Sequence, residues 1–139
     1  MRLSTKGQYG VRAMFDLASH SQNGPVPLKR ISEREEISIN YLEQLFLKLK
    51  RAGLVESVRG PGGGYLLKKR PKEIRISHIV RAVEEPLFPA SCLEPEKVPR
   101  CHRMKDCVAR LLWQRLGAKI TQVLDLSLIH ISEPTRQAE

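Results

Sequence analysis

Residues 58–65 read Val-Arg-Gly-Pro-Gly-Gly-Gly-Tyr, and this glycine run constrains the fold more than any other stretch of the chain. A partly β-branched segment, residues 54–58, precedes it, and the apolar residues 65–67 follow it. This pattern predicts two short strands joined by a glycine turn. A phosphate-binding P-loop is the alternative, but that loop needs Gly-Lys-Ser/Thr at the start of a helix. We therefore predict a β-hairpin.

Three helices are predicted ahead of this hairpin. Apolar residues recur at helical steps over residues 5–22 until an Asn-Gly-Pro triplet breaks the pattern. Pro27 can open a short second helix, and Ser38 can cap a third one that Gly53 ends. Two short helices joined by a tight turn form a helix-turn-helix, and a hairpin directly after them is typical of a wing. The predicted class is a mainly α winged helix-turn-helix.

The basic charge is concentrated in the same part of the chain. The net charge is +9, and residues 1–81 hold 16 Lys and Arg against 7 acidic residues, whereas residues 82–139 hold 8 of each. A solvated basic face is the alternative, but confinement to one module favours double-stranded DNA as partner. The third helix would enter the major groove and the wing would meet the minor groove or phosphates. The predicted DNA-binding residues are Ser38, Asn40, Tyr41, Glu43, Gln44, Lys50, Arg51, Arg59 and Gly60.

Residues 74–85 are expected to complete a DNA-binding domain at residues 1–85. Ile74 and Ile76 could form a short strand, and Ser77 could cap a helix that ends before Pro86. Residues 86–103 contain four prolines and no periodicity, which predicts a loop.

A long helix is predicted for residues 104–126, where apolar residues recur by three and four. Such a helix would be roughly 34 Å long. Packing within the chain is the alternative, but little of the chain remains to cover the apolar stripe, so we predict a homodimer helix. Residues 127–139 lose the pattern and are expected to be a non-native tail.

The start of the chain lacks the apolar core of a signal peptide, and no run of 18 apolar residues occurs. We therefore expect a cytoplasmic protein with no membrane partner. Paired carboxylates, a Cys-His-Asn order and a nucleophile elbow are all missing, so neither an enzyme nor a small-molecule substrate is expected. Cys92, Cys101 and Cys107 cannot all pair within one chain, and a reducing compartment favours metal or redox chemistry for them.

Four motifs carry a resemblance to a known family: Met1-Arg2-Leu3, Ile31-Ser32-Glu33-Arg34, Tyr41-Leu42-Glu43-Gln44-Leu45 and the glycine run at 58–65. Together they resemble the bacterial iron-sulfur regulators that include IscR, NsrR and RirA. The resemblance implies a homodimer crossed by its C-terminal helix. It also implies a transcriptional regulator, expected to act as a repressor, whose promoter binding depends on a bound cluster. The implied signals are iron-sulfur status, iron, oxidative stress or nitric oxide.

The resemblance implies that Cys92, Cys101 and Cys107 bind an iron-sulfur cluster, with 2Fe-2S preferred over 4Fe-4S. Eight residues separate the first two cysteines where the family usually has five. Arg110 stands where the family places a ligating histidine, and arginine is not an ordinary metal ligand. Gln8 stands where some members have an aspartate.

The fourth ligand is therefore open. His102 is the nearest candidate, and Asp106 or a group from a second chain would also be chemically adequate. Two alternatives to a cluster regulator remain. One is a DNA-binding regulator stapled by zinc through the three cysteines and His102, or switched by its thiols. The other, of a different class, is a small iron-sulfur redox protein.

Overall fold

The computed structural model describes residues 4–83, 89, 93 and 107–127. Within them the chain forms five α-helices and one antiparallel hairpin. In chain order the elements are α1 (Thr5–His20), α2 (Leu28–Glu35), α3 (Ile39–Arg51), β1 (Val55–Val58), β2 (Gly64–Leu67), α4 (Ile76–Ala82) and α5 (Val108–Leu126). The predicted mainly α class with a small hairpin is confirmed. No helix in these ranges is both long and apolar enough to cross a membrane.

Local signals at both ends define α3. The Ser38 side chain accepts a hydrogen bond from the Tyr41 backbone N–H at 3.2 Å, as an N-cap residue should. At the other end Gly53 has a φ of 79°, and the amide of Leu54 donates to the Leu49 carbonyl at 3.1 Å. This is a Schellman closure, in which glycine takes the left-handed conformation that other residues avoid. Both predicted ends of the helix are confirmed.

The hairpin, which we call the wing (residues 55–67), pairs Val55 with Leu67 and Val58 with Gly64 in register. Its second strand, β2, is also hydrogen-bonded to the segment that precedes α2. The backbones of Val26 and Tyr65 exchange two hydrogen bonds of 2.9 Å, and the Tyr65 ring lies 4.8 Å from that of Phe46 in α3. The wing is thus anchored to the helical core at its second strand.

The core lies between α1, α3 and α4. The apolar face of α3 is buried through Leu42, Leu45, Phe46 and Leu49. Helices α1 and α4 approach closely because Gly10 has no side chain: a Cβ there would lie 3.1 Å from a methyl carbon of Val83. Burial of this apolar surface is the main stabilisation that a domain of this size has available.

Two predictions about the region before α4 are wrong. Ile74 and Ile76 do not form a strand: Ile74 follows a 3₁₀ turn at Pro71–Glu73, and Ile76 is the first residue of α4. Ser77 does not cap the helix, since Arg75 occupies the N-cap and Ser77 lies inside α4, fully buried. The reason is packing, because burial of Ile74 and Ile76 against the core starts the helix earlier than the serine signal suggests.

One further boundary differs from the predictions. Helix α1 ends at His20 rather than at residue 22, and a 3₁₀ turn follows at Ser21–Asn23. Helix α5 begins at Val108 with Cys107 as its extended N-cap, and residues 104–106 of the predicted helix lie outside the described residues. The predicted loop at 86–103 lies outside the described residues apart from Pro89 and Leu93, and the predicted tail lies outside them apart from Ser127.

Candidate nucleic-acid interface

The first turns of α3 present a polar face to solvent. Ser38, Asn40, Glu43 and Gln44 are all exposed. Since α3 buries Leu42, Leu45, Phe46 and Leu49 on its opposite side, these polar side chains are directed away from the core. The predicted contact residues in this half of the helix therefore share one accessible surface.

Tyr41 has a different environment from its neighbours. It is half-buried, its ring meets the edge of Tyr9 in α1 at 5.7 Å, and its hydroxyl lies 3.2 Å from Thr5 Oγ1. These contacts brace the start of α3 against the start of α1. Tyr41 thus combines a supporting role with partial access to the surface.

The C-terminal half of α3 adds positive charge beside the wing. Lys50 and Arg51 are exposed, and Lys50 Nζ donates to Ser57 Oγ in β1 at 2.9 Å. Arg59 and Gly60 lie exposed at the end of β1, where Gly60 has a φ of 97°. The structure therefore places all nine predicted DNA-binding residues on α3, its N-cap or the wing, and only Tyr41 is substantially covered.

The orientation of α2 beneath α3 depends on a buried ion pair that the sequence did not suggest. The Asp16 side chain in α1 is 2% exposed, and Arg34 of α2 donates to its two carboxylate oxygens at 2.9 and 2.7 Å. Hydrogen bonding to Asp16 raises the pKa of Arg34 above its ordinary value, so Arg34 remains cationic. The only available signal was one acidic residue on the otherwise apolar face of α1.

Helix α5 contacts the domain through α4. Arg81 in α4 pairs with Asp125 at 3.4 Å, and the amide of Ile76 donates to the carbonyl of Ser127 at 2.8 Å. Leu124 packs against the core. By contrast, Val108, Leu111, Leu112, Val123 and Leu126 are exposed.

The described residues contain one of the three predicted cluster ligands. Cys107 is a free, half-buried cysteine at the N-cap of α5. Cys92, Cys101, His102 and Asp106 lie outside the described residues, and within those described no group of three potential metal ligands occurs. One turn after Cys107, Arg110 has a buried Nε without a hydrogen-bond partner.

Residues 3–130 match the Rrf2 family, described as iron-dependent transcriptional regulators. The chain belongs to the Rrf2 family. Similar curated proteins include the HTH-type transcriptional regulators IscR of Pectobacterium atrosepticum, 50% identical over 90% of this chain and 74% of the relative, and of Aliivibrio salmonicida, 49% identical over 90% and 73%. These relatives are regulators, which confirms that this Rrf2 chain is a helix-turn-helix transcriptional regulator and not an enzyme.

Solved structures agree with this assignment. An IscR from T. potens covers all of this chain and 89% of its own, with 40% identity and a TM-score of 0.75. CymR of B. subtilis, described as the global cysteine regulator, gives 38% identity and a TM-score of 0.76, with 94% of each chain covered. The resemblance to IscR and the winged helix-turn-helix class are thereby confirmed for this Rrf2 chain.

Proposed function

We propose that this chain binds a two-fold DNA operator as a homodimer and that an iron-sulfur cluster at its cysteines controls that binding. The observation that carries the proposal is the single surface formed by α3 and the wing, on which exposed polar side chains lie beside exposed cations. A helix with a hairpin next to it matches the way such domains enter DNA, helix in the major groove and wing beside it.

Each exposed group on this surface has a defined chemical use. The Glu43 carboxylate can accept a hydrogen bond from cytosine N4, and the Gln44 amide can form two hydrogen bonds with the major-groove edge of adenine, accepting from N6 and donating to N7. Lys50, Arg51 and Arg59 supply charge for phosphates, which gives salt-dependent affinity. If Glu43→Ala selects the same DNA sequences as the unaltered protein, the assignment of base reading to Glu43 is wrong.

The exposed face of α5 supports the homodimer. Its five exposed large apolar residues fall within a sector of about 120°, at about 100° per residue. Arg115 and Lys119 are exposed within the same sector, so in a dimer their charged ends must extend to solvent or pair with acidic groups of the second copy. A second copy of the same helix, related by two-fold symmetry, would bury this uncovered stripe.

Light scattering tests the dimer. At micromolar concentration the unaltered protein should have the molar mass of two chains. The double variant with Leu111→Glu and Leu112→Glu should have the molar mass of one chain. Gln114→Glu, which adds charge on the same helix away from the apolar sector, is the matched control and should remain dimeric. A monomeric unaltered protein would contradict the proposal.

The chemistry of the cysteines fits an iron-sulfur cluster. Thiolates are the preferred ligands of such clusters, and Cys107 is a free, half-buried cysteine at the N-cap of α5. We propose that Cys92, Cys101 and Cys107 hold the cluster, preferentially 2Fe-2S, with His102 as a candidate fourth ligand. A bound cluster would be lost or oxidised as the levels of iron and oxidants change, and it would thereby link DNA binding to those levels. The Arg110 guanidinium, one turn from Cys107, has no ligating nitrogen to offer.

Anaerobic purification and reconstitution test the cluster. We expect a coloured protein with equal iron and sulfide, and Cys107→Ser should lose the visible spectrum while keeping the far-ultraviolet helix signal. His102→Ala should shift the spectrum if His102 is the fourth ligand. A colourless protein that binds zinc, or that changes its DNA affinity only through its thiols, would support the zinc or thiol alternative instead. A cluster protein without DNA affinity would support the redox alternative.

A further inference from the structure

The DNA-binding domain exposes large hydrophobic side chains in only two of its elements. Within residues 4–83 the exposed ones are Leu47 (48%), Ile39 (40%) and Val58 (39%). Single exposed hydrophobic residues are common on protein surfaces and need no explanation when they are scattered. Here all three lie on α3 or in the wing, which carry the proposed DNA contacts.

Leu47 is the most exposed of the three and occupies the centre of the polar face. At about 100° per residue, it lies within roughly 30° of the direction opposite the buried stripe of α3. Leu47 therefore shares a face with the proposed contact residues Asn40, Glu43, Gln44 and Arg51, all exposed. It follows Glu43 by four residues and Gln44 by three, which places it one turn further along the same surface.

We propose that Leu47 contacts the 5-methyl group of a thymine in the major groove, so that each operator half-site carries a thymine next to the bases read by Glu43 and Gln44. This inference rests on the proposed DNA binding. The thymine methyl is the apolar feature that the major groove offers, and an apolar side chain is its natural partner. DNA is favoured as the occupant because Lys50 and Arg51, one turn after Leu47 on α3, and Arg59 in the wing are exposed cations.

Selection from random duplex DNA provides the first test, with the full chain loaded with cluster. The unaltered protein should enrich a motif with a thymine at one position per half-site. Leu47→Ala should lose the preference at that position while keeping the preferences at the others. Because Leu47 is exposed, this variant should fold, and its thermal unfolding is measured in parallel.

Replacement of that thymine by deoxyuridine removes only the methyl group and gives the sharper test. The unaltered protein should bind the deoxyuridine duplex about fourfold more weakly for each methyl removed, because the free energy of burying one methyl group corresponds to about a fourfold change in the dissociation constant. Leu47→Ala should bind the two duplexes equally. Arg51→Ala is the matched control, and it should lose affinity for both duplexes while keeping their ratio.

Two results would overturn the inference, and they differ from failure of the proposed function. Sequence-specific binding with no deoxyuridine effect at any thymine, or an effect that Leu47→Ala retains, would exclude the methyl contact and leave a protein partner as the occupant of this face. Absence of any selected motif from the unaltered protein would instead overturn the proposed operator binding, and this inference with it.

Discussion

The carboxylate of Asp16 and the guanidinium of Arg34 form a two-point hydrogen bond that fastens α2 to α1, at 2.9 Å from Nε and 2.7 Å from Nη2. His20 Nδ1 lies 3.6 Å from the same carboxylate. Because the geometry of a helix-turn-helix depends on the placement of α2, this ion pair helps to position α3.

Loss of Arg34 should destabilise the protein strongly. Arg34→Met removes the cation and leaves the buried Asp16 carboxylate with much weaker compensation. We expect a loss of about 3 kcal/mol in the free energy of unfolding, the lower end for a broken buried pair because Arg34 is one-third exposed. Urea unfolding measures it. Arg30→Met removes an exposed pair with Glu33 and should cost less than about 1 kcal/mol. Equal losses in the two variants would contradict the assigned role.

The attachment of the wing should depend on Gly64. A Cβ at this position would collide with the carbonyl group of Val26, whose backbone pairs with the neighbouring Tyr65, and φ is 155°. Gly64→Ala should therefore lower stability and detach the wing, reducing DNA affinity as well. Gly62→Ala is the control, because φ is 76° but nothing lies within 4 Å of its Cβ. It should cost only about 1 kcal/mol of backbone strain. Thermal unfolding that ranks the two variants in the opposite order would refute this.

Stability should fall in mild acid because of His78. Burial lowers the pKa of His78 below its ordinary value of 6.5, Lys69, Arg75 and Arg81 act in the same direction, and Asp125 opposes them. The Arg75 amide also donates to His78 Nδ1 at 3.4 Å, a contact that needs an unprotonated nitrogen.

The unfolded chain therefore binds a proton at His78 more readily than the folded protein does. The contribution of His78 to stability is fully present above the ordinary histidine pKa, is lost progressively as the pH falls below it, and levels off below the depressed folded pKa. His78→Gln should flatten this part of the curve of unfolding free energy against pH. A variant whose curve from pH 8 to pH 5 parallels that of the unaltered protein would rule out His78 as the cause.

Local signals were sufficient for α3 and the wing. Ser38 and Gly53 mark the ends of α3, the apolar steps from Leu42 to Leu49 mark its buried face, and the glycine run between two apolar segments is typical of a hairpin turn. These features depend on residues a few positions apart, so the sequence displays them directly.

Features that depend on tertiary packing were not predictable in this way. Ser77 looks like a cap, but packing of the neighbouring isoleucines places it inside α4. Asp16 and Arg34 are 18 residues apart and meet only when α1 and α2 pack. In the sequence, Leu47 is a leucine outside the stripe formed by Leu42, Leu45, Phe46 and Leu49. Only the side-chain exposures of the whole domain show that it is one of its few exposed large hydrophobic residues.

Arg59 should contribute charge to DNA binding in a way that salt titration detects. It is exposed at the end of β1, beside the turn of the wing, and if it neutralises one phosphate, Arg59→Ala should reduce the slope of log affinity against log salt by about 1. Arg59→Lys keeps the charge and should keep the slope. It should still weaken binding if Arg59 enters a narrow minor groove, where the planar guanidinium is preferred. A slope unchanged in Arg59→Ala would show that Arg59 neutralises no phosphate, and the salt dependence would then have to come from other cations such as Lys50 and Arg51 on α3.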